Sequence, residues 1–76
     1  MASEVVEAPL PGRIVSVEVS AGNTVKQGGV ICIIEAMKML NPILSPEEAS
    51  VVEVAVAPGQ TVKTGEKLAV IEYQLS

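Results

Sequence analysis

Val15–Glu35 reads VSVEVSAGNTVKQGGVICIIE, and Val52–Glu72 reads VEVAVAPGQTVKTGEKLAVIE. The second stretch starts 37 residues after the first and aligns without a gap, with ten of 21 positions identical. Pro9 falls on Pro46 at the same offset. Two Val-rich strands could share some of this by chance, but not an ungapped G-x-T-V-K-x-G block. The chain is an internal duplication. Each unit shows alternating valines (Val15, Val17, Val19; Val52, Val54, Val56), the period-2 mark of a strand with one buried face. A glycine turn follows, then a very short Thr-Val strand, a second glycine turn and a strongly apolar strand (Val30–Ala36; Lys67–Tyr73).

Neither unit can bury its apolar face alone, so the two are expected to pack about a pseudo-twofold axis. The expected fold is all-β: a sandwich or flattened barrel of about eight short strands, forming a single domain over 1–76 with its core at about 5–74. Composition agrees. Nearly half of the 76 residues are hydrophobic, yet Tyr73 is the only aromatic, so Val and Ile must build the core. A domain of this size buries roughly 60% of its unfolded surface, a modest margin.

Charge and cysteine usage narrow the function. The net charge is −4 and the five basic residues are scattered, which argues against nucleic acid as a partner. No apolar run approaches the ~18 residues of a membrane span, so no direct membrane insertion is expected. The opening "MASEVVEAPLPG" lacks the regions of a signal peptide. Cys32 is the single cysteine, compatible with a reducing compartment. With no histidine to activate it, Cys32 reads as small core filler rather than as a reactive thiol. The expected location is cytoplasmic by default, with the mitochondrial matrix also compatible. Without His or Asp, no metal cluster and no acid–base pair is legible. Glu47 and Glu48 read as a solvated edge, and Lys26 and Lys63, at matched scaffold positions, as structural or solubilising charges rather than modification sites.

The remaining oddity is "EAMKM", Glu35–Met39. The chain must reverse here, between Val30–Ile34 and "NPILSP", at the hinge between unit one, ending at Glu35, and unit two, opening near Pro46. Two-residue hairpin loops favour Asn-Gly or similar pairs because both central residues take positive φ, yet no Gly, Asn, Asp or Pro lies within the pentapeptide. The corresponding end of unit two, Tyr73-Gln74-Leu75, closes the chain, so symmetry does not require "AMKM" to build the fold. Lys38 at such a tip is an exposed amine on a flexible stem, suited to acylation by a partner enzyme. Met37 and Met39 add adaptable apolar surface for that partner to read.

"EAMKM" within this duplication resembles the biotin-attachment motif of biotinyl domains, the carrier domains of biotin-dependent carboxylases and the biotin carboxyl carrier proteins. "APLPGRIVSVEVSAGNTVKQG" is similar to the family's opening half and "SPEEASVVEVAVAPGQTVKTGEKLAVIE" to its closing half, covering Glu7 to Glu72. The resemblance implies a flattened barrel of two four-stranded antiparallel sheets, the barrel-sandwich hybrid or hammerhead of the biotin/lipoyl attachment domains, here thumbless. It implies biotin amide-linked to Lys38 by a biotin protein ligase. Glu35, Ala36, Met37 and Met39 complete the recognition motif, and Gly22 and Gly59 match turn glycines. It also implies a non-catalytic carrier, moving a carboxyl group between a biotin carboxylase and a carboxyltransferase or decarboxylase site. The mitochondrial matrix is the location compatible with a domain of a eukaryotic carboxylase. Leu40 departs from the Glu common in the family, and Ala49 from a Gly that Gly12 retains in unit one; positive φ at that position would strain Ala49. A lipoyl carrier domain of a 2-oxoacid dehydrogenase complex is the alternative, but its tip typically reads Asp-Lys-Ala. An unmodified hairpin module, as in membrane-fusion proteins, has no need of a tip lysine.

Overall fold

A computed structural model of the chain describes residues 1–75; Ser76, the last residue of the expected 1–76 domain, lies outside the described residues. Eight strands follow one another: β1 Ala2–Glu7, β2 Gly12–Val17, β3 Thr24–Val25, β4 Val30–Ala36, β5 Met39–Leu44, β6 Ala49–Val54, β7 Thr61–Val62 and β8 Lys67–Tyr73. Each strand of the first four recurs 37 residues later with the same length. Unit two therefore opens at Met39, not near Pro46. "NPIL" is a strand equivalent to "EVVE" of β1, and the similarity of those two segments was too weak to read.

The strands form two antiparallel four-stranded sheets, ordered β1-β8-β6-β3 and β5-β4-β2-β7. Exchanging each strand for its repeat partner converts one order into the other, which is the pseudo-twofold. Each sheet takes two strands from each half. Turns clasp the halves further: Gly22 N–H donates to Val51 O at 2.8 Å and Gly59 N–H to Ile14 O at 2.7 Å. Gly28 N–H donates to Ser45 O at 2.9 Å, mirrored by Gly65 N–H to Ala8 O at 2.7 Å. All four of these glycines take φ between 80° and 95°, where a side chain is strained.

Ile14, Ile31, Cys32, Ile34, Val62, Leu68 and Ile71 are buried between the sheets, each aliphatic side chain contributing about 1.5–3 kcal/mol. The alternation expected of Val15, Val17 and Val19 holds only in part. Val15 is an extra residue, unpaired between the Ile14–Ile34 and Ser16–Ile33 pairs, and its side chain is exposed. Val52 is its counterpart between Val51–Ile71 and Glu53–Val70. The bulge shifts the pleat by one residue. Ile14 and Val51 therefore point inward before it, and Val17, Val19, Val54 and Val56 pack on or in the core after it.

Cys32 is in the core as expected, and burial raises its thiol pKa. Ala49 does not have positive φ. Its counterpart Gly12 owes its identity to proximity: a Cβ there would meet Glu35 O at 2.5 Å and Ile34 Cγ2 at 2.6 Å. Ala49 is itself buried, so the second half has room for a methyl group that the first half lacks.

Candidate attachment site

The apolar run of β4 continues to Ala36, which pairs with Met39 at the start of β5. Only Met37 and Lys38 remain to reverse the chain. The result is a two-residue hairpin, and both residues take the left-handed conformation it demands, Met37 at φ 53° and Lys38 at φ 63°. They are the non-glycine residues with positive φ among the described residues. Each incurs about 1–2 kcal/mol relative to a right-handed conformation, which a Gly in either place would avoid.

The strained turn places Lys38 at the molecular tip. Its side chain is exposed, and no hydrogen bond or ion pair holds its amine among the described residues. Met37 is 93% exposed, Met39 65% and Leu40 61%. Three uncovered apolar side chains thus surround one cation on an acidic domain. The other five-residue motif members are half-buried at the hairpin root. Ala36 closes the ladder, and Glu35 accepts a 3.0 Å bond from Arg13 Nη2 across the sheet. That pair is solvated and contributes at most about 1 kcal/mol. Leu40 lies across from Glu35 on the other side, so Arg13, Glu35 and Leu40 form a row across three strands.

Two residues at the root have roles that the sequence did not reveal. Gly12 lets β2 approach Ile34 and Glu35, and even the Ala36 Cβ would lie only 3.2 Å from an added methyl group. Asn41 donates from Nδ2 to Ile34 O and to Met39 O, each at 3.2 Å. An Asn before Pro42 signals a turn in sequence; here it sits inside a strand, so its signal pointed elsewhere. Lys26, Lys63, Glu47 and Glu48 are all exposed and away from the hairpin, as expected of solvated charges.

A groove of about 440 Å³ runs between edge strands β1 and β5, and a smaller one near Met1, Thr24 and Tyr73; neither includes a residue of 35–40. A prosthetic group at the tip would be held through a covalent bond to Lys38, and an exposed, unpaired amine fits that requirement. No group of three or more potential metal ligands occurs among the described residues, and no helix among them is long and apolar enough to cross a membrane.

Residues 1–71 match the protein family described as "Biotin-requiring enzyme". The chain belongs to this family. Among its relatives is the methylmalonyl-CoA decarboxylase gamma subunit of Veillonella parvula, 55% identical over 62% of this chain and 36% of the relative. The glutaconyl-CoA decarboxylase gamma subunit of Acidaminococcus fermentans is 52% identical over 55% of this chain and 29% of that subunit. The match therefore spans about a third of the length of each of these two relatives. A solved single-chain, multi-domain long-chain acyl-CoA carboxylase superposes with a TM-score of 0.89 and 33% identity, over 95% of this chain and 7% of that one. Membership of the biotin-requiring family makes this a carrier domain of the kind found in biotin-dependent carboxylases and decarboxylases.

Proposed function

We propose that the domain carries biotin, amide-linked to Lys38, as the mobile arm of a biotin-dependent carboxylase, transcarboxylase or decarboxylase. The geometry of the turn supports this reading. A strained Met-Lys pair holds an unpaired amine at the tip, between methionines that are 93% and 65% exposed. Attachment by a biotin protein ligase is an acyl transfer to the lysine amine. The deprotonated Lys38 Nζ attacks the acyl carbon of biotinyl-adenylate, the C–O bond to phosphate breaks, AMP leaves and the amine proton passes to solvent. The formal charge of the domain falls from −4 to −5, because one cation is lost.

When bound, the group supplies a nitrogen able to hold a carboxyl group between an ATP-dependent biotin carboxylase site and a carboxyltransferase or decarboxylase site. The domain contributes reach and concentration. The lysine stem extends the arm beyond the hairpin, and tethering keeps the carried group at high effective concentration near both sites. Met37 and Met39 offer the ligase an adaptable apolar contact flanking the amine. On this reading the domain is a non-catalytic carrier, and the carboxylation and transfer chemistry resides at the partner sites that the arm visits. The lipoyl alternative is disfavoured by the tip, Met-Lys-Met where lipoyl domains typically have Asp-Lys-Ala.

Co-expression with a biotin protein ligase, followed by intact-mass measurement, tests the reading. A biotin-sized increment on the wild type, absent from Lys38→Arg, is expected. A lipoate-sized increment when lipoate is supplied, or no increment with a ligase that labels a control acceptor, would overturn it.

A further inference from the structure

The duplication gives the molecule two poles, and the same repeat position braces each of them. Position 4 of unit one corresponds to position 41 of unit two, and Tyr73 corresponds to Ala36. Where β1 and β8 meet, the Tyr73 hydroxyl donates to Glu4 Oε1 at 3.3 Å. At the tip, Ala36 has nothing to donate. There the Asn41 carboxamide reverses the polarity, donating from Nδ2 to Ile34 O on β4 and to Met39 O on β5. Met39 directly follows Lys38, so this strap fastens the outgoing end of the strained turn to the incoming strand. Serving both carbonyls takes a side chain with two N–H donors to give, as the Asn carboxamide has. A carboxylate, as at Glu4, would aim acceptors at two carbonyl oxygens.

We propose that Asn41 is a positioning residue for modification of the tip, setting the fraction of molecules whose Met37–Lys38 turn adopts the left-handed form that presents the amine. The proposal rests on the reading that Lys38 is the acceptor. Without the strap, two L-residues at positive φ relax toward splayed conformers that a ligase must wait out. A ligase that accepts only the presented form then shows a KM raised by the inverse of its population, with kcat unchanged.

The test uses the full chain as wild type, Asn41→Ala, Asn41→Asp, Met37→Gly and the double variant Met37→Gly/Asn41→Ala. Biotin transfer by a biotin protein ligase gives kcat and KM. Intraresidue HN–Hα cross-peaks of residues 37 and 38 report positive φ by NMR without any ligase, and thermal unfolding checks the scaffold. Both Asn41 variants are expected to raise KM roughly tenfold, the size of one or two lost net hydrogen bonds. They should leave kcat unchanged and weaken the Lys38 cross-peak. Glycine at position 37 supplies positive φ unaided, so Asn41→Ala should cost much less in that background. Unchanged KM and cross-peaks in the Asn41 variants overturn the proposal. So does an equal penalty in both backgrounds, which marks Asn41 as a direct ligase contact or a general stabiliser. If the wild type takes no biotin while a control acceptor does, the biotin reading fails. The cross-peaks then decide the strap alone: weakened, it stands as a turn-setting device; unweakened, it falls.

Discussion

Met37 occupies a conformation that glycine would adopt without strain, yet it carries a long side chain into solvent. Met37→Gly should therefore stabilise the fold by up to about 1 kcal/mol, the relief of strain being offset by a more flexible unfolded chain. The same change should slow biotin transfer, measured by intact mass against time. Opposite signs in the two measurements identify a residue retained for recognition rather than for folding. At the far pole, burial and the Glu4 carboxylate, with a smaller push from Glu47, raise the Tyr73 phenol above its ordinary pKa. Above about pH 10 the unfolded chain gives up that proton first. Tyr73 therefore stabilises the fold fully below that pH, and the contribution is lost as pH rises through the folded value. Because Tyr73 is the only aromatic, phenolate absorbance follows it directly. Glu4→Gln should move the titration to lower pH. The identity of the tip residues was plain in the sequence because they break a turn rule. Asn41 was not, because its role depends on which carbonyls the hairpin brings within 3.2 Å.

At the scale of elements, the apolar strands β4 and β8 were legible to the residue, since continuous hydrophobic runs bounded by turns leave little choice. The bulges were not. A one-residue register slip at Val15 and Val52 leaves the valine spacing intact in sequence while moving those two side chains to the outside. Gly12 and Ala49 show a second kind of illegibility. Both are small, at equivalent positions, and only the packing of β2 on β4 reveals why one has no Cβ. Gly12→Ala should destabilise by about 1–3 kcal/mol, because backbone oxygen and a buried Ile34 branch leave no room. Ala49→Gly should cost about 1 kcal/mol, through a lost buried methyl and a looser unfolded chain, rather than relieving strain. Chemical denaturation of the two variants measures both.

For the whole molecule, the duplication was the strongest signal, and the sheet orders show what it builds. Because each sheet draws two strands from each half and the turns donate across the divide, residues 1–37 alone should show no cooperative thermal transition. A circular permutant opened between Lys38 and Met39, with its original ends joined by a short glycine linker, should fold with a melting temperature near the parent's, since Ala2 already lies beside Tyr73. Loss of folding there would mean that the tip hairpin nucleates the structure. The twofold that exchanges the halves carries the Met37–Lys38 turn onto the Ala2–Tyr73 edge, which puts them at opposite extremes of a body 39 Å long and 18 Å wide. A chain anchored to a bead or sensor surface through Met1 would accordingly stand upright with its acceptor lysine facing the bulk. Its labelling rate should match that of the free domain, whereas anchoring through Leu40 should block it.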